Sequence, residues 1–139
     1  MFRPTPAVVD ALRPFVDERA LTVELDAKRP DLTALLLQAA REHEELPKPL
    51  VAAATRAACG RLGERFGGHA IELRVPPFAA VQLSFGTGPR HTRGTPPNVV
   101  EMSPTTFLAL ITGRMRYADA DVHASGAHAD EVAQAFPLI

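Results

Sequence analysis

Two consecutive glycines, Gly67 and Gly68, divide this sequence into halves with different periods. Before them, alanine and leucine recur at three-and-four spacing, the pattern of amphipathic helices. After them, apolar and polar residues alternate between prolines and glycines, the pattern of strands and turns. A chain with its helices first and its strands afterwards belongs to the α+β class, because parallel α/β sheets need the two to alternate from the start.

The helical half opens with Thr5 as N-cap and Pro6 at the first helical position, a favourable pair. Val8, Leu12 and Phe15 fall on one face, and Pro14 ends or kinks this helix. Leu21, Val23 and Leu25 then alternate with Thr22, Glu24 and Asp26, which predicts a short extended piece. Asp31 caps a second helix carrying Leu32, Leu35, Leu36 and Ala39. Pro47 and Pro49 separate it from a third, with Leu50, Ala54, Ala58, Leu62 and Phe66 along one side. Gly67-Gly68 closes that helix, the usual place for glycine.

In the second half, Ile71, Leu73 and Val75 form one side of a strand whose other side carries Glu72 and Arg74. Pro76-Pro77 makes a turn, since neither residue can donate to a ladder. Ala79, Val81, Leu83 and Phe85 give a second strand, with Gln82 and Ser84 opposite. Gly86 to Pro97, with three glycines and three prolines, reads as a long loop. Asn98 to Met102 is a third strand. Ser103-Pro104 opens a helix with Phe107, Leu110 and Ile111 on one face and Gly113 at its end. Val122 to Ser125 is a fourth strand, and Asp130 to Phe136 a last helix.

Composition excludes several functions. The chain has 139 residues, 15 basic against 16 acidic side chains and one cysteine. That length suits one domain with an adequate core and no need of disulfides. A net charge of −1 argues against nucleic acid as a partner, because such binding rests on basic excess. No apolar stretch approaches the roughly 20 residues of a membrane span, Arg56 interrupting the best one. Asp10 and Arg13 interrupt any signal-peptide core. The expectation is a cytoplasmic protein without integral membrane association.

Residues able to carry chemistry are few. Cys59, flanked by Ala58 and Gly60 with Arg56 and Arg61 nearby, reads as a small residue packing helix against sheet. Ser84 and Ser125 lack the Gly-x-Ser-x-Gly turn that exposes a catalytic serine. His123 and His128 do not share a helix face, and His43, Glu44 and Glu45 read as a solvated turn, so neither metal nor cofactor is expected. In GPRHTRGTPPNVVE, Gly88 to Glu101, the side chains of Arg90, His91 and Arg93 either hold a carboxylate or phosphate, or tie a long loop down. Arg74 can join either arrangement. Val81, Leu83, Phe85, Met102, Phe107, Ile111, Met115 and Phe136 should share one interior, as plain core or as the lining of a cavity.

The run EMSPTTFLALITGRM, Glu101 to Met115, followed by a connector and VHASG, resembles the C-terminal half of the sterol carrier protein family. IELRVPPFAAVQ and GPRHTRGTPPNVVE more closely resemble its bacterial branch. The resemblance spans about Leu50 to Phe136. It implies a mostly antiparallel sheet of four to five strands with helices packed on one face, and between them a tunnel for lipids, fatty acyl chains or sterols. Residues 1–139 would then form one domain, with 1–47 a mainly helical N-terminal extension. The chain departs from the family in two places. The loop around Arg90 stands where a strand is usual, and the connector YADADV is short.

On this reading the apolar set contacts the ligand, while Arg90, His91, Arg93 and Arg74 meet its polar head group. The protein would bind or transfer a lipid or other apolar small molecule without catalysing a reaction. The alternative is an accessory domain supporting a partner enzyme, since similar domains are appended to N-acetyltransferases and thiol-dependent maleylpyruvate isomerases. A stand-alone isomerase fits poorly, because the helical N-terminus, with His43 and then His69, supplies no metal-binding domain.

Overall fold

The computed structural model describes residues 1–86 and 96–139. Helix α1 runs Pro6–Leu12, with the Thr5 hydroxyl accepting from the Val8 amide, and a 3₁₀ turn, Arg13–Phe15, follows at Pro14. The extended piece expected next is instead a helix, α2, Glu18–Leu25. Asp17 nucleates it by accepting from the Arg19 and Ala20 amides at 2.7 and 3.3 Å. Burial follows period four: Leu21 is fully buried and Leu25 packs on the core, while Val23 stays 67% exposed. The apparent alternation was an accident of apolar spacing that a strong cap overrode.

Helix α3, Thr33–Glu42, starts just beyond Asp31. The Asp31 carboxylate accepts from the Thr33 amide at 3.0 Å and its hydroxyl at 2.6 Å, and from the Phe2 amide at 2.9 Å. The N-cap itself is Leu32, so Asp31 sits one residue before the cap position that the sequence suggested for it and ties the first turn of α3 to the N-terminal segment. Burial alone would raise its pKa, but these donors and the nearby N-terminal ammonium outweigh that and hold it below the ordinary 3.8. Asp31→Ala should cost about 1–3 kcal/mol at neutral pH, since it leaves the Phe2 and Thr33 amides and the Thr33 hydroxyl without their acceptor. A group whose folded pKa is depressed contributes fully above its unfolded pKa and loses that contribution as pH falls through the folded value. Urea unfolding of both proteins should therefore show a constant gap down to about pH 5 that closes below 3.8. A gap unchanged at acid pH would contradict this assignment.

Helix α4, Lys48–Phe66, is the centre of the molecule. Leu50, Ala54, Ala58 and Leu62 are buried as their spacing predicts, but so are Ala52, Ala53, Thr55, Ala57 and Cys59. The helix meets α1, α3, sheet strands and a later helix on its various sides, and alanines let these neighbours approach closely. Its end differs from expectation. Gly67 has φ −55° and ψ 139°, so the chain passes straight from helix to strand with no left-handed stop. The glycines are there for proximity: a Cβ on Gly68 would lie 2.3 Å from Ser84 Cβ, where the Ser84 amide donates to the Phe66 carbonyl.

Strands β1 (Gly67–Val75), β2 (Ala79–Leu83), β3 (Asn98–Glu101) and β4 (His123–Ser125) form one sheet in the order β2-β1-β3-β4. The sheet is mostly antiparallel, with β1 and β3 forming its parallel pair. Register puts Ile71, Leu73, Val75, Leu83 and Val100 on one buried side. The other side carries Glu72, Arg74, Ala80, Gln82 and Glu101. Helix α4 covers β1 and β2 on the apolar side, and a C-terminal 3₁₀ turn, Ala129–Ala135, lies against β3, β1 and β4. That turn replaces the last helix expected over Asp130 to Phe136. Helix α5, Pro104–Ile111, is capped by the Ser103 hydroxyl as expected and packs on α4. The α+β class and the strands thus follow the sequence pattern, and the helices on one sheet face follow what the family resemblance implied.

Candidate functional site

The apolar residues expected to share one interior occupy three settings. Leu83, Met102, Phe107 and Ile111 are buried in the continuous core between sheet and helices. Val81 and Phe85 are half-buried at the edge where α4 meets β2, Phe85 having its ring 5.1 Å from that of Phe66. Phe136 is half-buried and Met115 is exposed at 36%.

Phe136 joins the inner and outer settings. Its ring meets Phe107 edge-on at 6.3 Å and stacks on Tyr117 at 6.3 Å. On the outside, Met115, Tyr117 and Phe136 line a cleft of about 210 Å³ with Gly113, Arg116 and Pro137. An apolar molecule seated there would touch Phe136, one ring removed from the core. The Tyr117 hydroxyl donates to Asp130 at 2.9 Å, which holds this wall in place. Burial, then that hydrogen bond and the Asp130 charge, push the phenol above its usual range, so it stays protonated. Tyr117 was absent from the expected set. Its signal was slight: it is the chain's single tyrosine, in a connector.

Met102, although buried in the core, also borders a polar cleft of about 310 Å³ lined by Glu101, Ser103, Asp121 and His123. Arg74, on the open side of the sheet, is paired with Glu72 at 2.5 Å. Arg90, His91 and Arg93 lie outside the described residues. Asn98 was also missed. Its side chain is buried, donates to the Ala70 carbonyl at 2.9 Å and accepts from the His128 amide at 2.9 Å, tying β3 to β1 and to the C-terminal turn. An asparagine opening an apolar strand was its one trace in the sequence.

Nucleophilic and metal chemistry find little here. Burial pushes the Cys59 thiol up to about 12, so no thiolate forms near neutrality. Among the described residues no group of three or more His, Cys, Asp or Glu side chains could hold a metal ion. No helix of the described residues is long and apolar enough to cross a membrane. Among the described residues the Thr55 hydroxyl, buried within α4, has no hydrogen-bond partner, a polar point inside an apolar interior.

No curated protein matches the chain at a significant level. The family described as bacterial SCP ortholog matches residues 47–138, from the start of α4 through every strand of the sheet to the C-terminal turn. With two thirds of its length matched and the expected sheet and helices in place, this chain belongs to the bacterial SCP ortholog family, sterol-carrier-like proteins.

Proposed function

We propose that this protein binds, and passes on, an apolar or amphipathic lipid of fatty acyl or sterol type, in the cytoplasm and without catalysing a reaction on it. Family membership carries the reading, since a sterol-carrier-like family suggests lipid binding or transfer. The apolar cleft at Met115, Tyr117 and Phe136 supports it by giving an acyl chain a first contact. We further take residues 1–47 as a helical extension of the lipid-binding domain.

Leu83, Phe107 and Ile111 have no exposed surface, so a chain entering between sheet and helices must displace side chains, with Phe136 as the gate. Burying about twelve methylenes gains on the order of 10 kcal/mol gross at 0.8 kcal/mol each. Ordering the chain and moving the gate offset several of these, leaving affinity near micromolar.

The test is titration with a fluorescent fatty acid and native mass spectrometry of co-purified lipid. Wild type should saturate, and Phe136→Arg should weaken binding at least about tenfold, an effect of about 1.4 kcal/mol. Leu83 is a poor probe, because arginine at a fully buried site unfolds the protein. A head-group role for Arg90 and Arg93 predicts that replacing both by alanine weakens fatty-acid binding by about 1–3 kcal/mol and barely changes an uncharged sterol. Absence of saturable binding for every acyl and sterol probe would sink the proposal. A partner enzyme retained at high salt would favour the accessory-domain reading instead.

A further inference from the structure

The Phe2 amide donates to Asp31 at 2.9 Å and the Phe2 carbonyl accepts from the Leu32 amide at 2.8 Å. These bonds fix the N-terminal segment alongside the loop between α2 and α3. A cleft of about 590 Å³ opens there, lined by Met1, Arg3, Pro4, Lys28, Arg29 and Pro30. Arg3, Lys28 and Arg29 are exposed, and none of them makes an ion pair among the described residues. Elsewhere Arg13, Arg61, Arg74 and Arg116 pair with carboxylates, while other exposed arginines among the described residues stand singly rather than grouped around one cleft.

Three carboxylates near the cleft are committed to other donors, Glu64 among them through the Met1 ammonium at 3.4 Å. Asp31 is filled by Phe2 and Thr33, and Glu24 accepts from the Asp31 amide at 2.9 Å. Three cations from two distant parts of the sequence therefore line one cleft, none of them in an ion pair among the described residues, in a chain whose net charge is −1. Gathering like charges costs free energy that an anion between them returns. Two guanidinium forks and an ammonium suit the oxygens of a phosphate group. The volume exceeds that of one phosphate, leaving room for part of the molecule that bears it, and lies within the usual range of small-ligand sites. Pro4 and Pro30 limit the backbone freedom of both walls, so less order is lost on binding.

We propose that this cleft binds a phosphate group, through Arg3, Lys28 and Arg29. The site lies outside the family-matched residues and does not depend on the lipid-binding reading. The phosphate comes either from a soluble phosphorylated molecule or from a phosphatidic-acid head group, and two probes separate these.

The full chain is titrated with pyrophosphate by calorimetry, and sedimented with phosphatidylcholine vesicles with and without phosphatidic acid. The Arg3→Ala, Lys28→Ala, Arg29→Ala triple variant should bind the responding probe about tenfold or more weakly, and Arg65→Ala should bind as wild type. Saturable pyrophosphate binding lost in the triple variant supports the site with a soluble ligand. Phosphatidic-acid-dependent sedimentation lost in that variant, with pyrophosphate failing to compete, supports it with a lipid head group. The triple variant should melt at the wild-type temperature or above, since repulsion is relieved. If it melts lower, Lys28→Glu alone at its exposed position carries the same test. Binding of neither probe, or binding unchanged in the variants, overturns the proposal.

Discussion

Replacing Phe107 by alanine is expected to lower stability by about 3–5 kcal/mol, read from urea midpoints at constant slope. Phe107 has no exposed surface, sits within the continuous core and meets Phe136 edge-on at 6.3 Å. Truncation removes a full ring's burial and leaves a void that rigid neighbours only partly close. The magnitude also bears on function. A ring lining a ready-made tunnel lacks partners on one side and leaves no new void, so its removal costs about half as much or less. A loss of several kcal/mol therefore means the ligand-free interior is filled, and that lipid binding proceeds by displacement. In that case Phe107→Ala, where it still folds, should take up a short acyl probe more readily than wild type, because the void is already made.

How far the sequence could be read depended on where the deciding interaction lay. Ile71, Leu73 and Val75 announced a strand because alternation reports burial on one face, and the faces came out as the pattern requires. Thr5 and Ser103 announced helix starts because capping is local. Around Leu21, Val23 and Leu25 two local signals disagreed, and the Asp17 cap outweighed an alternation of three residues. Gly67 and Gly68 were located correctly but for another reason, since the approach of Ser84 is a contact across a hairpin that spacing does not encode. The candidate site was less legible. Phe136 and Met115 could be placed in a common apolar set, but whether each lines a core or a cleft depends on tertiary packing. Arg3 and the Lys28-Arg29 pair carry no motif, and hydrogen bonds of Phe2 to residues 31 and 32 bring them together.

The glycine ending VHASG should prove as hard to replace. Gly126→Ala is expected to cost about 3–5 kcal/mol, combining backbone strain with a clash. Gly126 has φ +109°, where a residue with a Cβ is strained. That Cβ would lie 2.3 Å from Asn98 Oδ1, 2.7 Å from the Pro97 carbonyl oxygen and 2.9 Å from Asn98 Cα. Two of these atoms are backbone, so no side-chain rotation relieves the contact. The third accepts the His128 amide, and the same side chain donates to the Ala70 carbonyl, so moving it loosens β3 from β1 and from the C-terminal turn together. A buried amide side chain stripped of its partners adds its own desolvation penalty. Gly60 is the control. A Cβ there meets nothing within 4 Å, and it lies inside α4, so Gly60→Ala should stabilise by about 0.5–1 kcal/mol. Thermal unfolding of both variants should move the midpoint in opposite directions. If Gly126→Ala melts within a degree or two of wild type, Asn98 is not the junction that holds strand and turn in register.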